Sequence, residues 1–267
     1  MALPESSEAS TALVTGASSG IGAAIATSLA KRGHALTLVA RRQDRLTELA
    51  NDLHEDYGVR AGVIACDLAD PAERDRLAAK LTELGLDVEV LVNNAGFGFA
   101  GDFIEADRER QVEMVRVNCE TVVDLTGRYV PEMVQRGRGA TINVASTAAF
   151  QPLPGSTTYA ATKAFVLSFT EALHEELKGT GVTATALCPG PVRTEFMDAS
   201  GIERAGSTPN FVWMSAEDVG EEAVKAAEAG KRAVVPGKLN YAGSVLGRHT
   251  PRKFVLPISR RIWSRVE

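Results

Sequence analysis

The sequence predicts an α/β fold: one doubly wound parallel sheet of about seven strands, with helices on both faces. Three observations carry this. Seven short apolar runs recur along the chain. Most are followed by a stretch with helical spacing, and the runs are apolar on both alternations, as strands buried on two faces must be. No linker or repeat interrupts the alternation before about Gly237. The predicted organisation is a polar leader (1–10), one domain (11–237) and a C-terminal tail (238–267).

The first run, 11–15, leads into a helix over 20–32, with Gly33 where a C-terminal cap belongs. A second run, 35–40, precedes an amphipathic helix over 43–56. The third, 62–66, leads to Asp70-Pro71, an N-cap followed by proline at the first helical position, and that helix ends at Gly85. The fourth run is 88–92, the fifth 140–145, the sixth 182–187 and the seventh 232–235. Between them the spacing predicts helices over 108–136, with an irregularity near Pro131, over 157–178 and over 215–228. Right-handed crossovers then give the doubly wound arrangement.

Composition narrows the function. The formal net charge is −5, whereas a general nucleic-acid binder carries a basic face. The N-terminus lacks the basic start and apolar stretch of a secretory signal, and no apolar run reaches membrane-spanning length. Cys66, Cys119 and Cys188 have no CxxC spacing and read as reduced thiols of a cytoplasmic protein. His34, His54, His174 and His249 have no metal-ligand spacing, so no metal site is expected.

Between the first strand and first helix lies Thr15-Gly16-Ala17-Ser18-Ser19-Gly20-Ile21-Gly22. A Rossmann-like sheet places dinucleotide phosphates there. Glycines admit the pyrophosphate to the backbone, and free amides at the helix start bind its charge. Ser18 and Ser19 add hydroxyl donors. The spacing departs from strict GxGxxG. The same residues formally match the GxSxG elbow of serine hydrolases, but that elbow follows several strands and only one precedes Ser18.

An NAD-binding site places a carboxylate at the end of the second strand to hold the ribose hydroxyls. Here the strand ends Leu38-Val39-Ala40 and continues Arg41-Arg42, with no acid until Asp44. A guanidinium such as that of Arg41 grips a 2′-phosphate in bidentate fashion, so NADP(H) is expected over NAD(H).

Tyr159 and Lys163 open the helix after the fifth strand, and a spacing of four puts them on one face. An ammonium beside a phenol favours the phenolate and pulls its pKa toward the working range. Ser146 closes the fifth strand, Asn93-Asn94-Ala95-Gly96 the fourth, and Cys188-Pro189-Gly190-Pro191-Val192-Arg193-Thr194 the sixth. All lie on the carboxyl edge, where ligands bind.

On these residues, with Asp67 and Asn118, the chain resembles the short-chain dehydrogenase/reductase family over roughly residues 10–195, with bacterial NADPH-preferring reductases the nearer likeness. The resemblance implies a hydride-transferring oxidoreductase acting on a carbonyl/alcohol pair. Tyr159 would be its general acid/base, Lys163 would lower the tyrosine pKa and bind the nicotinamide ribose, Ser146 would orient the substrate oxygen, and Asn118 would hold a water on a proton path. Gly16, Ser18, Ser19, Gly20, Ile21, Gly22 and Arg41 would bind the phosphates. Asp67 would meet the adenine edge with Leu68 beside it, Asn93 would position the loop next to the adenine ribose, and Val192 and Thr194 would touch the nicotinamide carboxamide. Ala95, Gly96, Pro189 and Gly190 would complete the cofactor-binding set. Ala145 departs from the family, many members having a second serine there. Homodimers or homotetramers through the helices bearing Asn118 and Tyr159 are implied.

The substrate loop is expected over about 190–215. Phe196, Met197, Phe211, Trp213 and Met214 on it, with Phe97, Phe99 and Phe150 on neighbouring loops, suit an apolar ketone, aldehyde or ketoacyl substrate. The tail interleaves Arg248, Arg252, Lys253, Arg260, Arg261 and Arg265 with Phe254, Val255, Leu256, Ile258, Ile262 and Trp263. It reads as an amphipathic segment on an anionic membrane, a helix on its own domain, or a cover for a second subunit. A different class of function is a non-catalytic dinucleotide-binding sensor or scaffold, which would keep the glycine turn without needing Ser146, Tyr159 and Lys163 together.

Overall fold

The computed structural model describes residues 3–4, 7–196 and 212–263. Seven parallel strands form one sheet in the order β3-β2-β1-β4-β5-β6-β7. They are β1 (Ser10–Thr15), β2 (Leu36–Ala40), β3 (Ala61–Ala65), β4 (Asp87–Asn93), β5 (Gly139–Val144), β6 (Val182–Leu187) and β7 (Ala233–Val234). The helices are α1 (Gly20–Ala30), α2 (Gln43–Tyr57), α3 (Pro71–Glu83), α4 (Arg108–Val115), α5 (Thr121–Arg136), α6 (Thr157–Glu176), α7 (Ala216–Glu228), α8 (Lys238–His249) and α9 (Arg252–Trp263).

Successive strand side chains leave on opposite faces, so each strand feeds two cores. Val14, Leu38, Val90, Val92 and Ile142 pack with Ile25 and Leu29 of α1, Leu46 and Leu53 of α2, and Val219 and Val224 of α7. Leu13, Val39 and Leu91 pack on the other face with Leu77 and Leu81 of α3 and Leu125, Tyr129 and Met133 of α5. This double burial is why the strands read as unbroken apolar runs.

Asp70 caps α3 by accepting from the Ala72 amide at 2.8 Å, with Pro71 as the first residue. The irregularity expected near Pro131 lies elsewhere. Pro131 sits inside an uninterrupted α5, and the break is a π turn at Arg116–Glu120 that joins α4 to α5 and contains Asn118. The Thr121 hydroxyl bridges it, donating toward the carbonyls of Arg116 (3.2 Å) and Leu68 (2.9 Å). Such bulges recur at functional sites.

The order of the strands places a topological switch between β1 and β4, where the direction of sheet growth reverses. A crevice opens there beyond the carboxyl ends of the strands. Part of the segment expected as a tail contributes a wall to it. Helix α8 lies against the 3-10 turn Thr147–Phe150 and lines the crevice with Leu239, Asn240, Gly243, Ser244 and Gly247.

Candidate active site

The cleft has a volume of about 890 Å³ and runs from the glycine turn, past the ends of β4, β5 and β6, to α8. Its floor is built from the switch point upward. The Thr15 hydroxyl donates to the Val92 carbonyl at 3.0 Å and accepts from the amides of Asn94 (3.0 Å) and Ala95 (3.1 Å). Asn94 Nδ2 returns the tie, donating to the carbonyls of Thr15 (2.9 Å) and Gly16 (3.2 Å). The ends of β1 and β4 are thereby joined through one asparagine and one threonine.

The glycine turn is shaped for close approach. Gly16 has φ +65°, a conformation that favours glycine, and a Cβ on Gly22 would sit 2.3 Å from the Gly16 carbonyl oxygen. Helix α1 starts here with no side-chain cap and no acid in its first turn. Its free amides and positive dipole end face the cleft, the arrangement that binds phosphate.

At the end of the cleft beyond β2, Arg41 and Arg42 both line it. Arg42 spans it. Its guanidinium donates to the Ser18 (3.0 Å) and Ser19 (2.9 Å) hydroxyls and to the Glu195 carboxylate at 2.8 Å, and this pairing holds the Glu195 carboxyl below its ordinary range. Asp67 and Leu68 stand opposite, the Leu68 carbonyl fixed by Arg74 (2.8 Å) and Thr121 (2.9 Å).

Ser146, Tyr159 and Lys163 meet in the middle of the cleft. Ser146 lies two residues beyond β5 and caps the 3-10 turn, accepting from the Ala148 amide at 3.1 Å. Tyr159 lies on the first turn of α6, with its ring 5.6 Å from that of Phe196. Lys163, 5% exposed, donates to the Val144 carbonyl at 2.7 Å, and its nitrogen is 5.8 Å from the Tyr159 ring centre.

Burial dominates the electrostatics. It pushes the Tyr159 phenol up to about 12 against the opposing pull of a hydrogen bond with Ser146, and it pulls Lys163 down to about 8. The spacing of four alone predicts that the ammonium lowers the phenol. In the structure desolvation of both groups is the larger influence, because each is enclosed and the lysine points at a backbone carbonyl.

Of the residues expected to bind or react, Gly16, Ser18, Ser19, Gly20, Ile21, Arg41, Asp67, Leu68, Ala95, Gly96, Ser146, Tyr159, Lys163, Pro189, Gly190, Val192 and Thr194 line this one cleft. Three do not. Gly22 lies behind the turn, where it lets α1 approach Gly16. Asn118 is buried in the π turn, accepting from the Phe97 amide (3.1 Å) and donating to the Phe97 carbonyl (3.0 Å) and Thr162 hydroxyl (3.0 Å). Asn93 points into the core, donating to Asn143 (2.9 Å) and Thr126 (3.2 Å), and it is the next residue, Asn94, that lines the cleft. Phe97, Phe150 and Phe196 line the cleft, whereas Phe99, Trp213 and Met214 do not. Met197, Phe211 and Arg265 lie outside the described residues. Sequence reasoning missed Arg42, Asn94, Glu195 and Asn240 as parts of the site. Among the described residues no group of His, Cys, Asp and Glu is arranged to hold a metal ion.

Residues 10–204 match the family model described as short chain dehydrogenase. The chain belongs to this family. Among curated dehydrogenase relatives, it is 37% identical over 194 residues to the very-long-chain 3-oxoacyl-CoA reductase of Anas platyrhynchos, covering 71% of this chain and 62% of that protein. The chain thus spans about three fifths of the length of the first such relatives. It is 38% identical over 215 residues to sulfoacetaldehyde reductase 2 of Chromohalobacter salexigens, covering 78% and 84% respectively. Among solved structures, a short-chain dehydrogenase from Sphingobium yanoikuyae in complex with NADPH matches with a TM-score of 0.79 and 32% identity, over 96% of both chains.

Proposed function

We propose that this chain is an NADP(H)-dependent oxidoreductase that interconverts a carbonyl and an alcohol, with Tyr159 as general acid and base. The observation that carries the reading is the convergence of Ser146, Tyr159 and Lys163 in the cleft that begins at the glycine turn. The residues present fit a dinucleotide: an uncapped helix start, a turn whose Gly22 leaves no room for a Cβ, and two arginines at the adenine end.

The nicotinamide, when bound, supplies the hydride. In reduction, negative charge grows on the substrate oxygen, and Tyr159 gives it the phenolic proton. A phenol held near 12 keeps that proton until the charge develops. Ser146, which lines the cleft beside Tyr159, orients the same oxygen. Lys163, charged below about pH 8, lends its positive field to the forming phenolate, and Val144 fixes its position. Asn118 secures the Phe97 backbone and Thr162, and so the loop and helix that flank the lysine.

Arg41 and Arg42, with no carboxylate before Asp44, support NADP(H) over NAD(H), as does the likeness to a relative solved with NADPH. The two curated relatives are named for very different carbonyl compounds, a very long 3-oxoacyl thioester and a small sulfonated aldehyde. Phe97, Phe150, Leu153 and Phe196 in the cleft favour the apolar kind. Val112, Val115 and Val123 on α4 and α5, and Phe165 on α6, are exposed and suit the contacts of a homodimer or homotetramer. Three unpaired cysteines suit a cytoplasmic enzyme.

The test is NADPH consumption across a carbonyl panel. Apolar ketones, aldehydes or ketoacyl thioesters are expected to outpace small sugars. Turnover of none of them would leave a dinucleotide-binding sensor as the better reading.

A further inference from the structure

The last two helices leave large apolar side chains on the surface. On α8, Ser244 and Gly247 are buried, while Leu246 is 69% and Tyr241 59% exposed. On α9, Val255 is buried, while Phe254 is 54% and Leu256 41% exposed. A lone exposed leucine is ordinary; a set of large apolar side chains on two successive helices marks a surface that is covered in use.

Charge identifies the cover. Between Glu228 and Glu267 the chain carries nine Lys and Arg and not one of its other acidic residues, although acids outnumber bases 34 to 29 overall. Lys238, Arg248, Arg252 and Lys253 are exposed on the same two helices, with Lys253 over the ring of Phe254 at 5.0 Å. A second copy applied through this face by a twofold axis would set like charge against like. An anionic lipid surface meets both halves of the pattern: headgroups pair with the cations, and the acyl boundary accepts the leucines, tyrosine and phenylalanine.

We propose that α8 and α9 dock this protein onto membranes containing anionic phospholipid. The inner side of α8 lines the cleft through Leu239, Asn240, Gly243 and Ser244, so docking sets the cleft mouth beside the lipid and gives an apolar substrate a route that avoids water. The docking claim stands apart from the reaction, because Leu246 and Phe254 do not line the cleft.

The experiment is co-sedimentation of the full chain with phosphatidylcholine vesicles, with and without phosphatidylglycerol, at low and high salt. Binding is expected only with phosphatidylglycerol and is released by salt. The doubly substituted Leu246→Glu/Phe254→Glu chain should bind at least about tenfold more weakly, with its melting curve and NADPH affinity retained. If that chain does not fold, Arg252→Glu/Lys253→Glu, at exposed positions, provides the same reading. Absence of binding to phosphatidylglycerol vesicles, equal binding to neutral ones, or undiminished binding by the substituted chains overturns the proposal. Self-association lost on substitution, without vesicle binding, assigns the face to a second copy instead.

Discussion

Lys163 directs its nitrogen at the carbonyl oxygen of Val144, 2.7 Å away, and not at the phenol of Tyr159. The last residue of β5 therefore fixes the position of a buried charge beside Ser146, two residues further on. The end of the sheet and the cluster of Ser146, Tyr159 and Lys163 are one construction at this point.

That placement sets an expected pH dependence. Burial pulls Lys163 down to about 8, so the ammonium that supports proton donation is lost as pH rises through about 8. Tyr159, pushed up to about 12, keeps its proton throughout that range. Reductive kcat/KM should therefore fall on the alkaline side with an apparent pKa near 8, read from a pH-rate profile at saturating NADPH. A profile level to pH 10 contradicts it. The stability contribution runs the other way. The unfolded chain binds the lysine proton more tightly, so the penalty for burying this charge is full below about 8 and fades as pH rises toward 10.5.

The Arg42–Glu195 pair makes a separate prediction about cofactor choice. Both side chains are about half exposed, so solvent and salt screen the pair. A 2′-phosphate at this end of the cleft competes with Glu195 for the same guanidinium. Arg42→Ala should raise the Kd for NADPH by at least about tenfold and leave that for NADH nearly unchanged. Glu195→Gln should tighten NADPH by a few-fold. Fluorescence titration of both nucleotides reads each value, and equal losses for the two after Arg42→Ala would remove Arg42 from phosphate recognition.

Gly22→Ala tests the turn. The added carbon would fall 2.3 Å from the Gly16 oxygen and 2.4 Å from Asn94 Nδ2, both held by other contacts. The backbone has to shift, at a cost of about 1–3 kcal/mol. Thermal melting should show a lowered Tm, and NADPH titration a weakened affinity. Wild-type values for both would mean that the turn has slack the structure does not show.

The strands were legible because burial on two faces leaves an unmistakable apolar run, and the sixth run, 182–187, coincides with β6 (Val182–Leu187). What escaped depends on which way adjacent side chains point. Asn93 and Asn94 are neighbours, yet one faces the core polar network of Asn143 and Thr126 and the other the glycine turn, a choice set by strand register. Arg41 and Arg42 repeat the problem at the end of β2. The π turn at Asn118 has no local sequence signal, since the contacts that hold its asparagine come from Phe97 and Thr162, distant in sequence. Helix α8 was unreadable as a cleft wall because its buried residues are Ser244 and Gly247, the reverse of ordinary amphipathic patterning.

The most direct test of the central claim is Tyr159→Phe, measured as single-turnover hydride transfer from NADPH alongside the NADPH Kd. The phenyl ring keeps the packing against Phe196 and removes only the hydroxyl. The account predicts hydride transfer slowed by at least about a hundredfold, with Kd unchanged within about twofold. Transfer at near wild-type speed would contradict it, whatever the substrate proves to be.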